Sequence, residues 1–368
     1  MPQLSAQTIR LLEDIERRID PEIEEDFSRQ WEDFLYDRTK EDICSPRRKK
    51  TAPAGETFPK ININDAINDL EMMLLSQLWN VSEQLESTNF NLCVRSNYGT
   101  GIMTSLFGAE IFEMPRDMDT LPTTRPLDDT DRIRAILDAG MPDLKNGFGQ
   151  RVFAFGELCR EVFRQYPKIE KYVEVYHPDT QGPLDVCELL WGCEMFYAMY
   201  DAPELVHGML RLITDTYSAF LEKWYTLYPR NCKMNCHWGI VRHRGAILLR
   251  NDSAMNLSPD FYREFALPYD SELIRRFEGG AMHFCGRGDH YIDILSEIPM
   301  LYGVNMSQPE LNDMEKIYRH TVDKGIKLLA FSPEYAKKDL SRAGGYHGHM
   351  HSTEGHAVLD TAPRKIHL

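Results

Sequence analysis

The 368-residue sequence lacks the long apolar runs of a membrane protein. No run approaches the roughly 18 residues of a transmembrane helix, and residues 1–27 contain no apolar signal core. A surplus of positive charge is also absent, because 57 acidic residues outnumber 42 basic ones and give a net charge of −15. Such a charge repels nucleic acid and anionic membranes. We therefore expect a cytoplasmic protein that has neither nucleic acid nor a membrane as partner.

Cysteine is scarce, and a glycine-rich phosphate-binding motif is missing altogether. Eight cysteines in a chain without a secretion signal predict free thiols in a reducing compartment. The absence of a dinucleotide fingerprint and of a P-loop disfavours an open sheet of the nucleotide-binding type. The remaining composition, 42% hydrophobic and 27% charged, is typical of a soluble globular enzyme.

Two regions of the sequence differ in their periodicity. Residues 1–85 place apolar side chains at helical spacing, whereas residues 86–368 alternate short apolar strands with longer helical segments. The predicted strands are NLCVRSN, KYVEVYH, CKMNCHW, GAILLRND, GAMHFC, MLYGVNM and IKLLAFS. This alternation predicts parallel strands covered by helices, and seven or eight units fit a (β/α)8 barrel better than an open sheet. We therefore predict an α/β fold, a TIM barrel with extra N-terminal helices packed on it.

Polar side chains follow the predicted strands again and again. In a (β/α)8 barrel the carboxyl ends of the strands surround the site of chemistry. The residues at these ends are Arg95, Asn97, Tyr176, His177, Asp179, Cys236, Arg250, Asp252, His283, Cys285, Asn305 and Glu334. Packing alone does not explain so many charged and titratable groups, so we expect a polar site capable of acid–base work.

Three segments, in order, resemble the uroporphyrinogen decarboxylase-like family. The first, DTQGPLDVCELLWGCEMFYAMYDAPELVHGMLRLITD (179–215), has the family's Gly-Pro and a later helix start of the form D-x-P-E-x-V-H. The second is NDSAMNLSPDFYREFALPYDSELIRRF (251–277), and the third is HFCG (283–286), followed by a helix that carries Asp293. The resemblance covers residues 90–335, and it implies the barrel fold.

The sequence is more similar to the corrinoid- and thiol-dependent methyltransferases of that family than to its true decarboxylases. The decarboxylases carry a motif, W-x-M-R-Q-A-G-R, that grips porphyrinogen carboxylates; here only Arg95, in RSNYGTG, is a partial substitute. The methyltransferase branch holds zinc with H-x-C plus a distant cysteine, and His283 and Cys285 match that H-x-C. Residues two apart on a strand point the same way, so both side chains can meet one ion.

The third zinc ligand of that branch has no counterpart, because no cysteine follows Cys285. Glu334 lies about where the cysteine would be, and a carboxylate is an acceptable zinc ligand. The alternative is Cys236 or His237, at the end of another strand. Without a metal, Cys285 would be a small buried hydrophobe and His283 a hydrogen-bonded residue of the cavity wall.

The resemblance implies a zinc-assisted methyltransferase. It would move a methyl group between a small methylated or methoxylated substrate, or a thiol, and a corrinoid protein. The candidate catalytic groups are Asp252, His177 and Tyr176, and the candidate substrate-binding groups are Arg95, Asn97, Asp179, Arg250 and Asn305. Asp252 has an alternative role as a helix cap, and His177 and Asp179 as residues that shape their loop. The alternative function is that of a metal-free decarboxylase-like lyase, or of a barrel that binds a carboxylated or tetrapyrrole ligand.

Two features leave their roles open. The family makes a homodimer plausible, but no residue pattern in the sequence bears on it. The C-terminal tail contains His347, His349, His351 and His356. A flexible terminal tract without fixed geometry binds metals only loosely, and the resemblance to the true decarboxylases implies that His347 or His349 lines the site.

Overall fold

The architecture is mixed α/β, with helices between parallel strands along the chain. A computed structural model describes residues 4–55, 57–338 and 342–353. The helices are α1 (Ala6–Arg18), α2 (Pro21–Leu35), α3 (Ile63–Asn68), α4 (Leu70–Glu86), α5 (Ile102–Leu106), α6 (Thr130–Ala139), α7 (Gly149–Phe163), α8 (Pro167–Tyr172), α9 (Pro183–Trp191), α10 (Glu194–Asp201), α11 (Pro203–Leu227), α12 (Pro259–Phe261), α13 (Leu267–Arg276), α14 (Ile292–Leu295), α15 (Met314–His320) and α16 (Pro333–Lys338). The strands are β1 (Ile43–Cys44), β2 (Cys93–Val94), β3 (Ile111–Phe112), β4 (Thr123–Thr124), β5 (Glu174–Val175), β6 (Asn235–His237), β7 (Val241–His243), β8 (Ile247–Arg250), β9 (Gly280–Phe284), β10 (Leu301–Met306), β11 (Lys327–Phe331) and β12 (Met350–Ser352).

A six-stranded parallel sheet forms the centre of the fold. Its strand order is β1-β12-β11-β10-β9-β8, and every neighbouring pair is parallel. A second parallel pair joins β2 to β5, while β3-β4 and β6-β7 are antiparallel. The α/β class with a parallel sheet is thus confirmed. The ladders of the described residues do not run as one closed ring, so the closed barrel stays a prediction.

The register of the central strands lines up their carboxyl ends. Arg250 of β8 pairs with His283 of β9, and His283 pairs with Asn305 of β10. β8 and β9 are buried along their whole length, with Ile247, Leu248 and Leu249 fully inaccessible, and β10 is buried except at Tyr302. Strands covered on both faces need continuous apolar runs, which is what the sequence supplies. Three of the predicted site residues therefore stand in one row across adjacent strands.

Helix starts follow the local capping chemistry. The Asp20 carboxylate accepts a hydrogen bond from the backbone N–H of Glu22 at 3.0 Å, and Pro21 occupies the first turn of α2. Ser258 caps α12 through the backbone N–H of Phe261 at 3.2 Å. Among the described residues no helix has both the length and the apolar character needed to cross a membrane.

The N-terminal segment contributes a strand as well as helices. β1 pairs with β12 in parallel, with Ile43 opposite Met350 and Cys44 opposite His351. The Trp31 ring of α2 packs against the His351 ring, with centroids 4.3 Å apart. Residues 1–85, expected to pack as helices on the barrel, therefore also add an edge strand to the main sheet.

Candidate metal site

Asp252, His283 and Cys285 place one carboxylate oxygen, one ring nitrogen and one sulfur within 4.8 Å of one another. His283 Nε2 lies 3.4 Å from Cys285 Sγ and 3.7 Å from Asp252 Oδ1. His283 is on β9, Cys285 directly follows that strand, and Asp252 is in the turn after β8. This triad is the group of metal-ligating side chains that the described part of the chain brings together.

The imidazole of His283 is held in one orientation by Asn305. Asn305 Nδ2 donates to the carbonyl oxygen of Leu329 at 2.8 Å, which turns Asn305 Oδ1 toward His283 Nδ1 at 2.7 Å. The amide oxygen accepts, so Nδ1 carries the proton and Nε2 keeps its lone pair. The lone pair faces Asp252 and Cys285. A hydrogen bond on the outer nitrogen is the usual support of a metal-binding histidine.

Burial sets the charge state of the triad. Burial lowers the pKa of His283 although the Asp252 carboxylate acts in the opposite direction, so the ring is neutral and able to donate its lone pair. Burial and the Asp252 carboxylate raise the pKa of the Cys285 thiol to about 12. A thiol becomes a good ligand or nucleophile only as thiolate, so this one needs a cation beside it to ionise at neutral pH.

Asp185, which the sequence did not single out, fixes the turn that carries Asp252. It lies in the first turn of α9, only 1% exposed. Its carboxylate accepts from the backbone N–H of Asp252 at 3.1 Å and of Ser253 at 2.8 Å. Asp252 Oδ1 in turn accepts from the backbone N–H of Cys285 at 2.7 Å. The signal was an acidic residue two positions after Pro183, within a segment that resembles the family.

We expect Asp185→Asn to weaken metal binding by about tenfold, the lower end for a residue that supports ligands. The amide keeps one acceptor but turns an NH2 group toward a backbone N–H, which displaces Asp252. Competition with a chromophoric zinc chelator measures the change. Glu188→Gln, on the same helix, is the matched control. A D185N protein that binds zinc as the wild type does would contradict this role.

A buried ion cluster adjoins the triad. The Asp179 carboxylate accepts from the guanidinium groups of Arg95 and Arg250 and from Trp238 Nε1 at 3.3 Å. Arg250 stacks on the Trp238 ring at 4.7 Å, and that ring meets His283 edge-on with centroids 5.2 Å apart. Burial alone would raise the pKa of Asp179, but Arg250 and Arg95 lower it to about 2. With two guanidinium groups and one carboxylate, the cluster carries a net positive charge.

The two arginines differ in access. The Arg250 side chain is 6% exposed and that of Arg95 is 21% exposed. Arg250 also donates to the carbonyl oxygen of Thr180 at 3.1 Å, which leaves it enclosed by protein groups. Arg95 is therefore the arginine of the pair that a substrate can approach.

The predicted catalytic residues His177 and Tyr176 hydrogen-bond to the backbone of neighbouring segments, outside the triad. His177 Nδ1 donates to the carbonyl oxygen of Pro178 at 2.8 Å, and Nε2 accepts from the backbone N–H of Leu248 at 3.1 Å. Burial lowers the pKa of His177 to about 3. Both ring nitrogens are thus occupied, and the ring links β5 to β8. The buried Tyr176 hydroxyl accepts from the backbone N–H of Trp238 at 3.4 Å, and burial raises its pKa.

Neither candidate for the third ligand joins the triad. Cys236 is fully buried on β6, where it packs against Cys93 and Tyr176. Glu334 is exposed at the start of α16. Asp252 takes the third position instead, because the turn after β8 brings it beside the end of β9.

Asn97 and His237, two further candidates from the sequence, have buried polar atoms that make no hydrogen bond among the described residues. Asn97 Oδ1 is buried and accepts no hydrogen bond from the described residues. Both ring nitrogens of His237 are also buried without a hydrogen-bond partner there, in van der Waals contact with the rings of His177 and His243. His237 therefore belongs to a buried histidine cluster and stays outside the triad.

Two of the tail histidines, His349 and His351, make hydrogen bonds that support the fold. His351 lies in β12 and accepts from the backbone N–H of Ala330 at 3.0 Å. His349 Nδ1 donates to the carbonyl oxygen of Val322 at 2.6 Å, and His347 is half exposed. His356 lies outside the described residues.

Comparison with known proteins identifies the fold. No protein-family model matches the sequence, and no curated protein matches it. A solved methyltransferase from Methanosarcina mazei superimposes with a TM-score of 0.59 at 13% sequence identity. The match covers 89% of this chain and 92% of that one. The two chains therefore share a fold over nearly their whole length.

Proposed function

We propose that this protein is a cytoplasmic, zinc-dependent methyltransferase of the uroporphyrinogen decarboxylase-like group. The observation that carries the proposal is the triad of Asp252, His283 and Cys285 at the carboxyl ends of two parallel strands. The shared fold with a methyltransferase supports it. The methyl group would pass between a small methylated or methoxylated substrate, or a thiol, and a corrinoid bound to a partner protein.

The donor set of the triad fits zinc. Sulfur, imidazole nitrogen and carboxylate oxygen are the three protein ligand types that zinc accepts, and three protein ligands leave a fourth position for a substrate. The oriented Nε2 lone pair of His283 and the Asp252–Cys285 hydrogen bond arrange these donors before any ion arrives. Bound zinc would supply the positive charge that keeps a thiol ionised at neutral pH.

The residues of this chain then have separate tasks. Asn305 keeps the His283 ring in the ligating tautomer, and Asp185 holds the turn that carries Asp252. Arg95, with its partly exposed guanidinium, binds a polar or anionic group of the substrate beside the triad. Arg250 and Asp179 hold Arg95 and the Trp238 ring in place.

The closed barrel is part of the same proposal. The six-stranded sheet and the β2-β5 pair together contain eight strands in parallel pairing. His177 joins β5 to β8 through the backbone N–H of Leu248. A ring of eight strands with the triad at its carboxyl end is the arrangement that a (β/α)8 enzyme uses.

The metal content of the protein tests the proposal. Wild-type protein, purified without a histidine tag and with zinc supplied, should contain about one zinc per chain by plasma mass spectrometry. Cys285→Ser should remove the metal and the methyl transfer but keep the circular dichroism spectrum, because one half-buried sulfur contributes little packing. Cys232→Ser, at another partly buried thiol, is the control and should keep the metal.

Metal-free wild-type protein would overturn the proposal. The hydrogen bonds of the triad would then serve a cavity wall, and the metal-free lyase or the carboxylate-binding barrel would be the remaining function. Release of carbon dioxide from a carboxylated substrate would favour the lyase over the binding protein.

A further inference from the structure

A cavity of about 520 Å³ opens at the amino ends of β2 and β5, whereas the triad lies at the carboxyl ends of β8 and β9. Its walls come from α2, from the C-terminal ends of α7 and α11, and from the segment that enters β5. The volume falls within the range of sites for small organic molecules, about 300–1,000 Å³. No step of the proposed methyl transfer uses this cavity.

Aromatic rings form much of the cavity wall. Phe163, Tyr172, Trp224 and Tyr228 all line it. The Trp224 and Tyr228 rings stack with centroids 5.4 Å apart, and the Tyr228 hydroxyl donates to the carbonyl oxygen of Gly156 at 2.8 Å. Trp224 is itself only 1% exposed, so it backs one face of the half-buried Tyr228 ring, and Tyr228 presents the preformed surface to a flat apolar body.

The carboxylates on the wall are mostly neutralised by neighbouring cations. Glu24 makes a bidentate pair with the buried Arg48, with N···O distances of 2.5 and 2.9 Å. Glu174 pairs with Arg242 at 3.3 Å. Glu170 is the remaining carboxylate of the wall, and it is exposed to solvent.

Unused positive groups remain. Arg160 and Arg164 line the cavity one helical turn apart, and neither has an ion-pair or hydrogen-bond partner among the described residues. Arg242 Nε is buried and has no acceptor in that same part of the chain. A buried donor without an acceptor costs stability, so an acceptor supplied by a ligand would remove that cost. Arg160 and Arg164 thus give the cavity two positive charges without a counter-ion in the described chain, and Arg242, paired with Glu174, adds one free N–H donor.

We propose that this cavity is a second binding site, for a small aromatic carboxylate or sulfonate. The ring of the ligand would pack on Tyr228, which Trp224 supports from behind, and its anionic group would accept hydrogen bonds from Arg160, Arg164 and Arg242. Guanidinium groups bind planar oxyanions in this way, and charge assistance makes such bonds the stronger ones. The inference is independent of the metal and of the proposed methyl transfer.

Titration of the zinc-free and zinc-loaded wild-type protein with 1-naphthoate tests the inference. Calorimetry should show saturable binding of one ligand per chain in both forms. The uncharged isostere 1-naphthamide should bind about tenfold or more weakly, because it lacks the anion that the arginines need. Inorganic phosphate at the same concentration should not displace naphthoate, because it has no ring to pack on the wall.

The double variant Arg160→Gln/Arg164→Gln should weaken naphthoate binding by about tenfold or more while binding of naphthamide stays unchanged. Arg132→Gln/Arg134→Gln, two exposed arginines of α6, removes the same charge outside the cavity and should leave both affinities as they are. Circular dichroism and the melting temperature confirm that both variants fold.

Three outcomes would overturn the inference. The first is a wild type that does not bind naphthoate, and the second is equal binding of naphthoate and naphthamide. The third is an equal loss of affinity in the α6 control, which would mean that net charge alone draws the anion to the protein.

Discussion

Arg250→Ala should lower the free energy of unfolding by about 3 kcal/mol, the lower end of the cost of breaking a buried ion pair, because Asp179 keeps Arg95 as a partner. Arg250 is 5% exposed, it donates to Asp179 and to the Thr180 carbonyl, and it stacks on Trp238. Its removal leaves Asp179 with Arg95 alone and opens a gap beneath the indole. Urea unfolding monitored by tryptophan fluorescence measures the loss.

Arg263→Ala provides the control, because Arg263 is exposed. It should change the free energy of unfolding by no more than about 0.5 kcal/mol. An Arg250→Ala protein as stable as the wild type, but unable to bind substrate, would give Arg250 the direct substrate contact that we assign to Arg95.

His351 and Asp270 should give stability two pH dependences of opposite sign. Burial lowers the pKa of His351 to about 3. Below pH 6.5 the His351 ring is protonated in the unfolded chain but stays neutral in the folded chain. The stability present above pH 6.5 is therefore lost as the pH falls toward 3. Burial raises the pKa of Asp270 to about 8. The folded chain keeps that proton while the unfolded chain loses it, so stability present below about pH 4 is lost as the pH rises toward 8.

Each group contributes a slope of about 1.4 kcal/mol per pH unit, and isosteric variants reveal the two slopes separately. His351→Asn, whose amide oxygen can still accept from Ala330, should flatten the fall in stability from pH 6.5 to 4.5. Asp270→Asn should flatten the fall from pH 5 to 7.5. The exposed His347→Asn is the control. Unchanged slopes in the two test variants, by urea unfolding at each pH, would show that neither group titrates on unfolding.

The strands that carry the site were predictable from sequence because burial on both faces imposes an unbroken apolar run. β8, β9, β10 and β11 each fall inside a predicted strand. The spacing of His283 and Cys285 likewise predicted that both reach one point, and Asn305 was placed at the neighbouring strand end. These inferences depend on local pattern alone.

The remaining features depend on contacts between distant residues. β1 contains two residues and has no strand pattern of its own, since it becomes a strand only by pairing with β12. The third member of the triad was expected at Glu334 or Cys236, but the position of Asp252 depends on Asp185, 67 residues earlier. Arg250 was expected to meet substrate, and its enclosure by Asp179 and Trp238 follows from the packing of three segments. Single-sequence patterns carry no information on such contacts.

The parallel pairing of β1 with β12 has a consequence for synthesis on the ribosome. Asp42, next to β1, accepts from the backbone N–H of Tyr346, 304 residues later. At about 5–20 residues per second, the partner of β1 leaves the exit tunnel about 15–60 s after β1 does. During that interval the nascent chain displays the unpaired β1 and the apolar face of α2, whose Trp31 ring lacks its partner His351. The emerging protein should therefore be a good client for ribosome-associated chaperones. Slow codons before β1 should not lengthen the time during which these surfaces are exposed, whereas slow codons between β1 and β12 should.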